Sequence, residues 1–177
     1  MTNTKWALDT THSSVDFSVR HMMIANVKGT FNKFDATIEA DPTNLTTANI
    51  EFSIDTASVD TRNQDRDGHL VSADFFDVAN HPAMTFKSTA IEKTDDGEYN
   101  VTGNLTLRGI TKPETFAVTF EGQGKDPWGN EKVGFSAEGT INRSEYGLVW
   151  NAALETGGVL VADKVKINLQ IQAAKAE

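Results

Sequence analysis

Residues 165–171, Val165-Lys166-Ile167-Asn168-Leu169-Gln170-Ile171, alternate apolar and polar side chains without a break. Successive side chains of a β-strand point to opposite faces, so this stretch predicts a strand with one buried and one wet face. Seven other stretches repeat the pattern, and no helical periodicity of any length interrupts them. Their apolar positions are Val15, Phe17, Val19; Phe34, Ala36, Ile38; Ile50, Phe52, Ile54; Met84, Phe86; Val101, Gly103, Leu105, Leu107; Phe116, Val118, Phe120; and Val133, Phe135, Ala137, Gly139, Ile141.

Eight half-buried strands of this kind predict an all-β protein built from antiparallel sheet. An eight-stranded sheet can close into a barrel, whose interior is either filled by side chains or wide enough for one small ligand. The length of 177 residues indicates one domain spanning residues 1–177. We therefore predict a single eight-stranded antiparallel barrel.

Two segments depart from the alternation. Thr61 and Gln64 have the spacing of a capping box and predict a short helical insertion over about residues 62–71, which Gly68 weakens. Residues 144–158 lack strand alternation and end in two glycines. We interpret this second segment as a loop or helical turn that covers an opening of the barrel.

Two local signals refine the strand boundaries. The apolar positions change from odd to even numbers near Asn32 and Lys33, which predicts a β-bulge at that point. The sequence Asp95-Asp96-Gly97 favours a tight hairpin turn with positive φ.

Composition limits the classes of partner. The net charge of −9 argues against nucleic acids and anionic membrane surfaces as main partners. Without cysteine there is neither a disulfide framework nor a thiolate metal site. No apolar run approaches the length that spans a bilayer, and the residues after Met1 do not resemble an export signal, so we expect a cytoplasmic protein that does not span a membrane.

Three polar patterns invite a chemical interpretation. Residues 63–74 imitate a calcium-binding loop, but the neutral Asn63 in the first ligand position and the missing flanking helix favour an ordinary solvated helix, and we expect no metal site. Asp9 and His12 have the spacing of a hydrogen-bonded pair, which we interpret as a structural tie because no nucleophile accompanies it. The four histidines show no close-spaced zinc pattern.

The interior itself leaves two questions open. His21 continues the inward parity of its strand, and is either a satisfied core residue or a contact for the polar head of a ligand. Gly103, Ala137 and Gly139 occupy inward positions, where small residues either leave room for a ligand or permit the strands to bend.

Several motifs, spread over nearly the whole chain, resemble the YceI-like family of lipocalin-like proteins. They are Trp6-x-Leu8-Asp9-x-x-His12-Ser13, Phe17-x-Val19-x-His21, Gly29-x-Phe31-x-x-Phe34, Arg66-Asp67-x-His69-Leu70, Asp74-Phe75-Phe76-Asp77, His81-Pro82-x-Met84-x-Phe86, Gly103-Asn104-Leu105-Thr106-Leu107-Arg108-Gly109-x-Thr111 and Arg143-x-x-Tyr146-Gly147-x-x-Trp150. The resemblance implies a lipocalin-like barrel around an elongated apolar channel that holds a polyisoprenoid or another long amphiphile, often in a homodimer. It implies no catalytic residues.

We therefore expect a protein that binds, and transports or stores, a long apolar amphiphile such as a polyisoprenoid or isoprenoid quinone, and that is not an enzyme. The expected lining is Phe17, Val19, Phe31, Phe52, Ile54, Phe76, Phe86, Leu105, Phe135 and Trp150. For a polar or phosphate head the candidates are His21, Arg62 and His69. Two alternatives stay open: an enzyme that modifies a lipid in the same cavity with Asp9, His12 or His21 as acid or base, and a packed stress-response protein without ligand.

Overall fold

The computed structural model of the protein describes residues 3–151 and 160–176. Within these ranges the regular structure is mostly β-strand, with one short α-helix, α1 (Gln64–Leu70), and two 3₁₀ turns, Thr56–Ser58 and Arg143–Tyr146. The strands are β1 (Thr4–Leu8), β2 (Ser14–His21), β3 (Ala25–Phe31), β4 (Phe34–Asp41), β5 (Asn44–Asp55), β6 (Val59–Asp60), β7 (Ala83–Asp95), β8 (Glu98–Leu107), β9 (Ile110–Lys125), β10 (Glu131–Asn142) and β11 (Val161–Lys175).

The strands form one antiparallel sheet that closes on itself. Its order is β1-β4-β5-β7-β8-β9-β10-β11, and β1 pairs with β11 to complete the ring. The strand β11 is long enough to pair with two strands on this side: its C-terminal part pairs with β1, and the part before it pairs with β2. In turn, β3 pairs with β2, and β6 pairs with β3. The pairs β1/β2, β3/β4 and β5/β6 are thus three barrel strands, each interrupted once. The prediction of an eight-stranded antiparallel barrel is confirmed.

The interruptions lie where the sequence changes its pattern. The β-bulge predicted at Asn32 and Lys33 is wrong: β3 ends at Phe31 and β4 begins at Phe34, so the strand is broken there. The sequence pattern missed β1, whose Trp6 is buried and donates its indole hydrogen to the carbonyl oxygen of Ala40 at 3.2 Å. A five-residue strand gives too short an alternation to stand out.

The local turn and helix predictions have different outcomes. Gly97 has φ of +70° between β7 and β8, as the hairpin signal predicted. Helix α1 is confirmed, but the predicted capping box is wrong: Asn63 is the N-cap, and its side chain accepts the amide hydrogen of Arg66 at 3.1 Å. The Thr61 hydroxyl instead donates to the carboxylate of Asp67 at 2.5 Å, which ties the start of the helix to its middle turn.

Two clusters of buried apolar side chains occupy opposite ends of the barrel. One closes the end formed by β1 and the β4–β5 turn: Trp6, Ile38, Ala40, Leu45, Ala48, Tyr99, Val133, Phe135, Ile171 and Ala173. The other lies toward α1 and the 3₁₀ turn Arg143–Tyr146: Val15, Phe31, Val59, Phe75, Met84, Leu105, Leu107, Ile141, Tyr146 and Leu148. We call the end that carries α1 the mouth.

Three phenylalanine rings lie against glycines of neighbouring strands. The pairs are Phe17 with Gly29, Phe86 with Gly103, and Phe116 with Gly139. A Cβ atom on any of these glycines would overlap the facing ring. Because these glycines have no side chain, the phenylalanine rings can lie close to the barrel wall instead of further across the interior. The idea that Gly103 or Gly139 opens space directly is therefore wrong, because a phenylalanine ring covers each of them.

We expect Gly103→Ala to destabilise the fold by about 1–3 kcal/mol, as overpacked sites do. The added Cβ would lie 2.5 Å from Cζ of Phe86 and would overlap the carbonyl of Lys87 as well. Gly124→Ala on β9 is the matched control, since no heavy atom lies within 4 Å of its added Cβ. Urea unfolding of both variants measures the effect, and equal stabilities would contradict this packing account.

The connection between β1 and β2 is tied to β11 by polar contacts. Asp9 donates its amide hydrogen to the Gln172 carbonyl oxygen at 2.8 Å, and its carboxylate pairs with Nδ1 of His12 at 2.8 Å. Hydrogen bonds from the Thr11 side chain and then from His12 lower the pKa of Asp9 from 3.8 to about 2. The Asp9–His12 pair thus has the geometry of a structural tie.

We expect Asp9→Asn to lower the melting temperature at neutral pH and to have much less effect near pH 2. Because the folded-state pKa of Asp9 is depressed, its carboxylate stabilises the fold above the unfolded value near 3.8, and this contribution disappears as pH falls through about 2. Melting curves from neutral to acidic pH test this. A deficit that stays constant down to pH 2 would mean that the charge of Asp9 contributes nothing.

An apolar cavity as the candidate functional site

The barrel encloses a cavity of about 600 Å³ between its two buried clusters. Nearly every barrel strand contributes inward side chains to the wall, and most of these are aliphatic or aromatic. Along β11 the lining runs from Val161 to Ile171, which is about 33 Å of strand at 3.3 Å per residue. The cavity is therefore long as well as apolar, and its volume is in the range of known ligand pockets.

The structure places all the residues expected to form the apolar lining in the cavity wall. These are Phe17, Val19, Phe31, Phe52, Ile54, Phe76, Phe86, Leu105, Phe135 and Trp150. Of the three head-group candidates, His21 and His69 also face the cavity. Whether these side chains contact a ligand stays a prediction.

Arg62 does not line the cavity, so the prediction that it contacts the head group is wrong. It lines a groove on the outside of the barrel together with Lys28, Asp60 and Lys166. Its amide donates to the Asp60 carboxylate at 2.9 Å, and its φ is +64°. Arg62 precedes α1 in a turn, where neither strand parity nor helical periodicity determines where a side chain points.

Some lining residues were missed although a signal was present. Arg143 follows Ile141 at the same parity, so the alternation of β10 extends to it. Arg66 and Leu70 are one helical turn apart, and both line the cavity from α1. Helical spacing within the predicted insertion could have identified them.

Aromatic rings gather around His69 at the mouth. Its imidazole stands edge-on to Phe75 and to Trp150, with ring centroids 5.0 Å and 4.7 Å away. Its Nε2 atom lies 3.0 Å from the Asp74 carboxylate. His69 therefore already has partners within the protein and joins α1 to the segment that carries Trp150.

Arg143 is a buried cation that is held by backbone carbonyls. Its guanidinium donates to the carbonyl oxygens of Leu148 at 2.7 Å, Ala162 at 2.9 Å, Trp150 at 3.0 Å and Val161 at 3.1 Å. Burial lowers the pKa of Arg143, and nearby Asp163 acts in the opposite sense. The fork geometry of guanidinium lets one side chain join residues 148–150 to the start of β11.

Tyr146 anchors the 3₁₀ turn Arg143–Tyr146. Its side chain is fully buried, and its hydroxyl donates to the Glu114 carboxylate at 2.5 Å. Burial and that carboxylate raise the pKa of Tyr146 above its usual 10, so the phenol stays protonated and keeps donating. Arg108 adds a second tie by donating to the carbonyl oxygens of Gly147 at 3.0 Å and Ala73 at 2.9 Å.

The predicted covering segment, residues 144–158, is described only in part. Residues 144–151 lie over the mouth and place Leu148 and Trp150 in the cavity wall. Residues 152–158 lie outside the described residues.

The calcium-like segment uses its oxygen atoms within the protein. The side chains of Asn63, Asp67 and Asp74 accept or share hydrogen bonds with Arg66, Thr61 and His69. In residues 3–151 and 160–176, no three His, Asp or Glu side chains come together in a group that could hold a metal ion. Within the same ranges, no helix has the length and apolar character needed to cross a bilayer.

Comparison with known proteins identifies relatives of this barrel. A UPF0312 protein of Staphylococcus epidermidis is 43% identical over 164 residues, which cover 92% of this chain and 93% of the relative. The crystal structure of BcnA from Burkholderia cenocepacia matches with a TM-score of 0.82 and 28% identity, covering 93% of this chain and 98% of BcnA. A polyisoprenoid binding domain from Saccharophagus degradans shares the fold, with a TM-score of 0.71, 14% identity, and coverage of 97% and 98% of the two chains. Since the profile of the YceI-like domain matches residues 6–173, this chain belongs to the YceI-like family.

Proposed function

We propose that the barrel binds one long apolar amphiphile, such as a polyisoprenoid or an isoprenoid quinone, and that it carries or stores this ligand. The observation that supports the proposal is the long cavity, whose wall is apolar from Val161 near the mouth to Ile171 near the closed end. Such a wall offers few hydrogen bonds to a compact polar metabolite. A flexible hydrocarbon chain complements it in both shape and chemistry.

Burial of apolar surface provides the main driving force for binding. At about 25 cal/mol per Å², enclosing several isoprene units contributes more than about 10 kcal/mol before ordering costs. One charge-assisted hydrogen bond at the head contributes about 1.5–3 kcal/mol. The lining therefore sets the affinity, and the mouth sets the choice of head group.

The Saccharophagus degradans neighbour supports the ligand class, because it is described as a polyisoprenoid binding domain and has the same fold. The enzyme alternative has less support from the geometry. Neither Asp9 nor His12 lines the cavity, so two of its three candidate acid–base groups lie away from a lipid bound inside. We propose a binding protein rather than an enzyme.

Extraction of the purified protein with organic solvent, followed by mass spectrometry, tests the proposal. We expect close to one long-chain isoprenoid per protein chain. If the extract contains no lipid, purified protein that has not been extracted is offered a polyprenol and a quinone in detergent. Failure to take up either compound would overturn the proposal and favour the packed alternative.

We expect His21→Leu to retain long-chain lipids but to shift them toward less polar head groups. His21 faces the cavity beside Val161 at the mouth, where the head of an inserted chain would lie. The substitution removes one polar contact and leaves the apolar burial intact. Comparison of the extracted lipids from the variant and the wild type is the measurement, and an unchanged lipid profile would make His21 a structural residue.

A further inference from the structure

Large exposed apolar side chains are distributed unevenly over the surface. Among the described residues, Met22, Met23, Ile24, Ile110 and Val149 lie at the mouth end of the barrel. Met22, Met23 and Ile24 are consecutive, are 44%, 52% and 75% exposed, and form the turn between β2 and β3. We call these three residues the apolar tip.

Two of the three residues of the apolar tip are held in a backbone conformation that is unfavourable for them. Met22 has φ of +53° and Met23 has φ of +63°, a region that glycine and asparagine occupy far more readily than bulky side chains. The Met22 amide donates to the Leu160 carbonyl oxygen at 2.7 Å, and the Arg20 guanidinium donates to the Met23 carbonyl oxygen at 3.3 Å. Hydrogen bonds thus hold the turn while its apolar side chains face water. The packing of the described residues does not explain that choice of side chains, and backbone strain of this kind is often associated with function.

The apolar tip adjoins the mouth of the cavity. His21, immediately before it, faces the cavity and pairs with Val161. Leu160, which receives the Met22 hydrogen bond, also lines the cavity. The apolar tip therefore borders the part of the cavity wall that His21 and Leu160 form.

The β2–β3 hairpin that carries the apolar tip is basic, although the chain as a whole is acidic. Residues 17–31 contain Arg20 and Lys28 and no Asp or Glu, although the chain has a net charge of −9. On the outer face, Lys28 and Lys166 both pair with Ser18 and so lie in one row across β3, β2 and β11. These cations can reach phosphate groups when the tip points into a layer of phospholipid headgroups.

We propose that the apolar tip docks the protein on a phospholipid bilayer, with Met22, Met23 and Ile24 in the boundary between headgroups and acyl chains, and with Arg20 and Lys28 at the phosphates. This inference rests on the proposed function, because docking places the mouth of the lipid cavity against the lipid source. Apolar side chains flanked by cations are the arrangement that binds proteins to the membrane interface without spanning it.

Sedimentation with vesicles of phosphatidylcholine and phosphatidylglycerol tests the proposal. The test variant is Met22→Asn/Met23→Gly/Ile24→Ser, in which Asn and Gly suit the positive φ angles and preserve the turn. We expect its vesicle affinity to fall more than about tenfold, the effect of losing three large apolar contacts. Trp128→Ser is the matched control, because Trp128 is 82% exposed in the turn between β9 and β10, at the opposite end of the barrel.

The expected pattern is vesicle binding by the wild type and Trp128→Ser, and lost binding by the tip variant. Equal binding by all three proteins, or no binding by the wild type, would overturn the proposal. A tip variant that turns a dimer into a monomer in the absence of vesicles would also overturn it, because the tip would then be covered by a second copy of the chain.

Two further measurements complete the test. Arg20→Gln/Lys28→Gln is expected to weaken binding to these vesicles severalfold, and unchanged binding would overturn the part assigned to the cations. Uptake of a polyprenol from detergent, measured on the tip variant, separates the two proposals. A tip variant with normal polyprenol uptake and lost vesicle binding supports docking at the tip. If the wild type takes up no polyprenol, the proposed function is contradicted, and vesicle binding alone then decides whether the tip docks on a bilayer.

Discussion

Ala137→Trp is expected to abolish the binding of long-chain lipid while the barrel remains folded. Ala137 lies on β10 and pairs with Leu169 of β11 and Val118 of β9, so its side chain is in the middle of the cavity wall. A cavity of about 600 Å³ has room for an indole ring, which would divide the space and separate the mouth from the closed end. We expect the extracted lipid per chain to fall more than about tenfold, since shortening the buried chain by a few carbons removes several times 0.8 kcal/mol.

Glu138→Trp is the matched control for this substitution. Glu138 is the next residue on β10, is exposed, and faces the outer groove, so the same indole is added on the opposite face of the sheet. The control should retain the wild-type amount of lipid. Full lipid content in Ala137→Trp would place the ligand elsewhere. Unfolding of Ala137→Trp, combined with a wild type that carries no lipid, would favour the packed interior.

Arg143→Met is expected to produce the largest loss of stability, about 3 kcal/mol or more. The substitution removes the guanidinium donor from four carbonyl oxygens: the buried one of Leu148 and the partly buried ones of Trp150, Val161 and Ala162. Of these, the Val161 oxygen keeps a hydrogen bond from Nδ2 of Asn151 at 2.7 Å. An acceptor that stays buried and unsatisfied costs about 1–3 kcal/mol, and a remaining donor or exposure to water reduces that cost. Urea unfolding gives the difference, and Trp fluorescence reports whether Trp150 has moved.

Two comparison variants separate the contribution of geometry from that of charge. Arg143→Lys keeps the positive charge but cannot bridge four separate carbonyl oxygens, so we expect it to recover only part of the loss. Arg108→Met removes a guanidinium with two carbonyl partners, Gly147 and Ala73, and should cost less than Arg143→Met. An Arg143→Met variant as stable as the wild type would show that the hydrogen bonds from Arg143 to these carbonyl oxygens are dispensable for stability.

Strand periodicity was the most informative property of the sequence. Because side chains alternate at every residue of a strand, the parity of Phe17, Phe52 or Leu105 was sufficient to assign each of them to the interior. Alternation holds along every strand of the sheet, so the inward residues of all eight strands could be identified in the same way. For this reason the barrel and most of its apolar lining could be predicted together. It carries no information about residues in turns, where Arg62 was assigned wrongly.

The sequence by itself thus determined the barrel, its strand number and the inward face of each strand, because these depend on a period of two residues that is local to the chain. Only the tertiary structure decided that Phe116 lies against Gly139, that Arg143 joins residues 148–150 to β11, and that the apolar tip lies beside the mouth. Each of these features joins elements distant in sequence, through a ring contact, a set of carbonyl bonds or a strand register. Local periodicity cannot specify such contacts, since they arise when the closed sheet brings the elements together.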